Sequence, residues 1–200
     1  MIRNSPPTRP RDRGAVVESL GKVWLFTIDV AGWRPSGGER VAEIGPLPVS
    51  ADTKYSAQYM EAIFTPGMTA PEHRHSGPEA WYTLAGETCL ETPEGKMVGR
   101  AGGAHVIVPG GPPMHLTATG TETRRALVLI LHDSSQPPST PARDWTPKGE
   151  ASVDLCVPDV VEIVQRRVGP DDVVNLGVVE IELPFSSPGT VRIRATSAKT

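Results

Sequence analysis

Four side chains with the chemistry of metal ligands sit close together in this sequence. His73 and His75 are two residues apart, Glu79 follows four residues after His75, and His115 lies 36 residues beyond Glu79. Residues two apart on a strand point to the same face, so the two imidazoles can converge on one point. The Ser76-Gly77-Pro78 turn can fold the Glu79 carboxylate back toward that point. Three neutral imidazoles and one carboxylate make a site for a divalent first-row metal, with positions left for water or substrate. A single His on a strand is usually a hydrogen-bonded structural residue. Three of the five histidines of the chain, gathered with one carboxylate, are harder to read that way.

The spacing resembles the cupin superfamily. The first cupin motif reads Gly, five residues, His, one, His, three or four, Glu, six, Gly, and Gly67, His73, His75, Glu79 and Gly86 satisfy it. In the second motif Gly103, Pro109 and Gly111 fit, His115 comes one residue late, and Thr119 stands where Asn is usual. The resemblance implies an all-β, double-stranded β-helix or jelly-roll barrel of the cupin type with N- and C-terminal extensions. It also implies a metal near the open end of the barrel, with His73, His75, Glu79 and His115 as ligands.

Cupins span dioxygenases, isomerases, cyclases, decarboxylases, lyases and plain binding proteins, so fold and metal do not fix a reaction. A two-or-three-His plus carboxylate set with open positions suits Fe(II) holding O2 and an organic substrate together; Mn, Ni, Cu or Zn fit the same ligands. The reading is therefore a mononuclear metal oxygenase, dioxygenase-like, acting on a small aromatic or enolisable molecule, with Glu79 as the catalytic carboxylate. The alternatives are a non-redox isomerase, cyclase or lyase in which the metal polarises a carbonyl, and a non-catalytic small-molecule-binding module. Trp81 lies on the same side of its strand as Glu79 and either stacks on a planar substrate or fills the barrel. Met60 and Phe64 are further pocket candidates, although both faces of Tyr55–Thr65 are mixed and do not choose which lines the cavity.

The elements that position these residues are short strands. Gly 20 and Pro 21 in 200 residues fit many strands joined by turns. Lys22–Val30 reads as a strand burying Trp24, Phe26, Ile28 and Val30, and the stretch Ile44–Lys54 shows no regular structure. Trp33 and Arg34 lie in a loop and either cover a pocket mouth or anchor it. Glu87 to Gly103 reads as a hairpin turned at Pro93-Glu94-Gly95. Arg124–His132 closes the barrel with Leu127, Leu129 and Leu131 in the core. His105 reads as structural and His132 as a surface or capping residue.

The organisation expected is a disordered arm over residues 1–14, the barrel with leading strands over 15–132, a Pro-rich linker over 133–149 and a C-terminal extension over 150–200. The metal motifs occupy 67–86 and 103–119. The extension contains two alternating stretches, Val178–Leu183 and Thr190–Ala195, which suggest a hairpin. Fifty residues make a poor independent core, so the extension packs on the barrel, on a partner subunit or on the N-terminal strand.

A net charge of -3 and a pI near 6.0 give no basic footprint for nucleic acid. No apolar run reaches bilayer length, and no signal-type h-region follows the basic N-terminus, which predicts a cytoplasmic protein without a membrane partner. Cys89 and Cys156 read as reduced thiols, with packing as the role of Cys89. The apolar strand at Trp24–Val30, taken as an exposed edge, predicts a homodimer.

Overall fold

A computed structural model describes residues 14–19, 22–30, 37–148, 166–167, 173–181 and 191–197. The described residues form strands and turns without a helix. The strands are β1 (Gly14–Ser19), β2 (Lys22–Val30), β3 (Glu39–Leu47), β4 (Tyr55–Phe64), β5 (Met68–Arg74), β6 (Glu79–Ala85), β7 (Glu87–Thr92), β8 (Gly95–Arg100), β9 (Val106–Val108), β10 (Met114–Thr119), β11 (Arg124–Asp133), β12 (Thr140–Pro141), β13 (Arg166–Arg167), β14 (Val173–Ile181) and β15 (Val191–Ser197). They assemble into three sheets, ordered β1-β2-β15-β3, β12-β5-β10-β7-β8 with β13 also on β5, and β14-β4-β11-β6-β9. All pairings are antiparallel except that of β13 with β5.

The β4-β11-β6 sheet is buried on both faces, which explains the mixed look of β4 in sequence. Ala126, Val128 and Ile130 of β11 face the barrel interior with Ala62, Phe64, Trp81, Leu90 and Leu116. The alternate residues Leu127, Leu129 and Leu131 face the other way, against Trp24, Phe26, Ile28, Ile44, Ala57 and Tyr59. The leucines are core, as expected, but they belong to the outer layer rather than the barrel lumen. Each buried Leu contributes about 1.5–3 kcal/mol, so the two layers hold β11 from both sides.

Several expectations are corrected here. Glu39–Leu47 is a strand, although its Gly45-Pro46 pair reads locally as a break; its Ile44 and Leu47 are buried against the outer layer. β2 is no exposed edge, because β1 and β15 pair with it on either side. That removes the ground on which a homodimer was expected. Residues 134–148 are no free linker: Thr140–Pro141 pair with β5, and Ala142 and Asp144 bond Glu72 and Arg74 of the same strand. The two C-terminal strands make no hairpin with each other: β14 extends the β4 sheet, while β15 inserts between β2 and β3. β15 thereby returns to the N-terminal strand, one of the placements expected for the extension.

Cys89, 5% exposed on β7, is disulfide-bonded, where the sequence predicts a reduced thiol. Disulfide pairing between distant cysteines carries no local sequence signal. The disulfide also takes away the thiol argument for a reducing compartment. No helix among the described residues is long and apolar enough to cross a membrane. The arm over residues 1–13, Trp33, Arg34 and Cys156 lie outside the described residues.

Candidate metal centre

The first motif runs from the end of β5 through a tight turn into β6. A β-bulge lies in β5, where three steps from Ala70 to His73 match two steps from Leu116 to Met114 on β10. The extra residue changes the parity of the strand, so His73 and His75 face the same interior as Met68 and Ala70. The turn is clamped by backbone bonds from Gly111 N to the His75 carbonyl (2.8 Å) and from Leu131 N to the Pro78 carbonyl (2.9 Å). Gly77 and Gly110 meet there backbone to backbone: a Cβ on Gly110 would lie 2.5 Å from Gly77 Cα. Larger residues at either position would push the turn away and move Glu79 with it.

This construction gathers His73, His75 and Glu79, whose ligand atoms all lie within 4.8 Å of one another. His75 is 2% exposed and Glu79 5%. The rings of His73 and His75 stand edge to face, with centroids 4.8 Å apart. Each Nδ1 is held by a backbone carbonyl, His73 by Pro71 at 2.6 Å and His75 by Pro138 at 2.5 Å. A carbonyl only accepts, so both Nδ1 atoms donate and both Nε2 atoms are left as lone-pair donors to a metal. His75 Nε2 and Glu79 Oε2 lie 3.0 Å apart, and neither has a further hydrogen-bond partner among the described residues. With His75 neutral these are two buried acceptors facing each other, an arrangement that calls for a cation between them.

The electrostatics agree with the geometry. Burial works against the Glu79 carboxylate, but His75, His73 and Arg124 outweigh it and hold its pKa below the ordinary value. Burial pulls His73 down, with Glu79 opposing. Burial pulls His75 down too, but there the Glu79 carboxylate and the Pro138 carbonyl prevail and raise it. His75 is thus the group that takes up a proton where no metal holds the carboxylate.

His115 is not brought into this group. It sits on β10 between Met114 and Leu116, both buried in the barrel interior, and faces the other way. Its Nδ1 lies 3.4 Å from Glu72 Oε1 and its Nε2 3.3 Å from Thr117 Oγ1. The residue opposite His73 on β10 is Met114. Thr119, in the place of the usual Asn, donates to Glu87 Oε1 at 2.6 Å.

A cavity of about 550 Å³ opens from the triad. Met60 and Phe64, both expected pocket residues, line it, with Gln58 and Ala62 on the same face of β4. Trp81 does not line it; the ring is fully buried, packed 5.8 Å from the Arg124 guanidinium. His105 is exposed, and His132 is buried, its Nδ1 on the Gln136 carbonyl at 2.8 Å, so it caps a turn.

Three contributors lie outside the motif positions. Glu72 and Arg124 line the cavity. Residues 134–148 form a strap along β5, in which Thr140 and Pro141 pair with Arg74 and His73, Ala142 N bonds the Glu72 carbonyl (3.0 Å) and Asp144 binds Arg74 (2.9 Å). The strap supplies the Pro138 carbonyl to His75 and places Pro138, Ser139 and Pro141 in the cavity wall. Composition alone hides this role, since a Pro-rich polar run reads as a spacer. For Arg124 a signal existed: it has the parity of Ala126, Val128 and Ile130, the inward face of β11.

With both cupin-motif segments placed on facing sheets around one cavity, the architecture is decided. The described strands form an all-β barrel of mostly antiparallel sheets, the fold class expected. No family model matches the chain, and no curated protein does. Solved structures similar to it include a cupin superfamily protein from Desulfitobacterium hafniense, 16% identical over 48% of this chain and 82% of that one, with a TM-score of 0.35. The DMSP lyase DddQ from Ruegeria pomeroyi is 23% identical over 50% of this chain and 47% of that one, with a TM-score of 0.37. A cupin-like protein from Thermotoga maritima is 12% identical over 70% and 90%, also at 0.37. Likeness at this level says nothing about the chemistry of the present protein, which rests on its own side chains.

Proposed function

We propose that this protein is a cupin-like mononuclear metal enzyme, a dioxygenase-like oxygenase acting on a small organic molecule, with Fe(II) held by His73, His75 and Glu79. The observation that carries the reading is the pair of buried acceptors, His75 Nε2 and Glu79 Oε2, 3.0 Å apart with both His Nδ1 atoms already committed to carbonyls. Two imidazoles and one carboxylate with the remaining positions open is the ligand pattern of non-haem Fe(II) oxygenases. Bound there, the metal would supply O2 activation. The protein would supply the rest: Glu79 lowers the charge of the centre, the two carbonyls hold the rings in their metal-binding tautomer, and the apolar walls exclude water from the reacting molecule.

A second reading, non-redox isomerase, cyclase or lyase chemistry, is favoured by one observation. Glu72 lines the cavity with His115 3.4 Å away, so the site has a carboxylate besides Glu79 that can accept a proton from a substrate. Oxygen dependence separates the two. The Fe(II)-loaded protein, assayed against a panel of small organic molecules, should turn over in air and stop under strict anaerobiosis. Equal turnover in both atmospheres would overturn the oxygenase reading in favour of the second. Ligand binding without product in either atmosphere would leave a binding module.

A further inference from the structure

Arg124 has no place in the metal centre and no partner among the described residues that explains it. It begins β11, and its guanidinium lies 5.0 Å from the Phe64 ring and 5.8 Å from the Trp81 ring. It is 1% exposed and lines the cavity of the triad, while its Nε and Nη2 donors have no acceptor among the described residues. These two donors form one edge of the guanidinium, the edge whose spacing matches the two oxygens of a carboxylate. A buried cation whose donors lack acceptors is costly to a fold, and natural sites retain one where a ligand completes it.

Charge and shape narrow the ligand. Arg124 is the only permanent cation among the described residues lining the cavity. Among the described residues the one anion acting on it is Glu79, whose charge is committed to the metal once the triad is loaded. A divalent ion, Glu79 and Arg124 then leave two net positive charges in the inner site, with the imidazoles neutral. Glu72 offsets little of this, since its carboxylate is 40% exposed and turned toward His115. Met60, Ala62, Phe64, Leu116, Val128 and Ile130 make the surrounding wall apolar. A phosphate dianion generally needs several cations and polar donors around it; a single guanidinium in an apolar wall suits a singly charged carboxylate on a short hydrocarbon body.

The position of Arg124 sets the polarity of the bound molecule. Glu79 pairs with Ile130 and Phe64 with Arg124, so the two ends of the cavity are six residues apart along β11, about 20 Å between Cα atoms. The Arg124 side chain reaches back to Trp81, the inward residue of β6 next after Glu79. We infer that the cavity takes a small organic acid, its carboxylate held by Arg124 and its reactive end turned toward His73, His75 and Glu79. The reacting end adopts the metal-site reading above; the carboxylate end rests on the open Nε–Nη2 edge of Arg124 in an apolar wall.

Binding of butyrate, of its uncharged isostere butyramide and of inorganic phosphate to the chelator-treated full-length protein tests this. Without metal, any preference for the acid over the amide must come from the protein. Butyrate should bind at least about tenfold tighter than butyramide, the scale of a charge-assisted hydrogen bond lost. In Arg124→Met the ratio should fall to about one with butyramide affinity unchanged. Should that variant fail to fold, Arg124→Lys, which keeps the charge and loses the planar fork, should show a preference reduced several-fold. Equal binding of acid and amide by the wild type, a preference that survives Arg124→Met, or phosphate binding tighter than butyrate would each overturn the inference. Metal titration of the same preparation keeps the two claims apart. Metal binding without acid preference overturns the carboxylate site alone, and acid preference without metal binding overturns the metal reading alone.

Discussion

The two motif segments of this chain present the same kind of residue to opposite fates. On the β5–β6 side, His75 is buried, oriented by a strap carbonyl and set against Glu79. On the β10 side, His115 comes one residue late and its ring turns away to Glu72 and Thr117. A strand has a side-chain period of two, so a slip of one position moves a ligand from the lumen to the other face. The first segment escapes the same fate through its bulge, which restores His73 and His75 to the inward parity. A histidine near a metal motif is thus a ligand only if the ladder gives it the right parity.

The contrast can be broken from either side. The largest effect belongs to His75→Ala, which removes a buried ligand and its carbonyl-held tautomer. Fe(II) or Mn(II) affinity measured by titration should fall by about a hundredfold or more, beyond the 10–100-fold cost typical of losing a supporting contact. Glu79→Gln comes next. At saturating metal it should retain occupancy yet lose most turnover, because it keeps size and removes the only anion in the ligand set. Full activity in a fully loaded Glu79→Gln protein would reduce the carboxylate to an anchor.

Met114→His sharpens the comparison. Directly paired residues of neighbouring strands project to the same face, so position 114, opposite His73, faces the lumen. An imidazole there should tighten metal binding by about tenfold, and an unchanged affinity would mean that β10 stands too far from the triad. The smallest effect is expected from His115→Ala, with metal affinity within about threefold of wild type. A loss as large as that of His75→Ala would place His115 back among the ligands.

Much of this was legible because it is local. The spacing of His73, His75 and Glu79 announces a convergent site, and the alternation in Lys22–Val30 and the Pro93-Glu94-Gly95 turn announce their strands. What was missed depends on distant partners. The strap at 134–148 reads as a spacer because its hydrogen bonds go to β5, some seventy residues away. β3 was hidden by Gly45-Pro46, whose local signal yields to the burial of Ile44 and Leu47. The face of β4 that lines the cavity was undecidable because both of its faces are covered. Arg124 is hard to read from sequence because a basic residue at a strand end normally points to solvent, whereas here the inward parity of β11 buries it against Phe64 and Trp81.

A centre with two imidazoles and one carboxylate is tested most directly by X-ray absorption of the Fe(II)-loaded protein, which counts the histidines bound to the metal. Two imidazoles are expected in the wild type, unchanged in His115→Ala. Three imidazoles in the wild type, falling to two in His115→Ala, would contradict it.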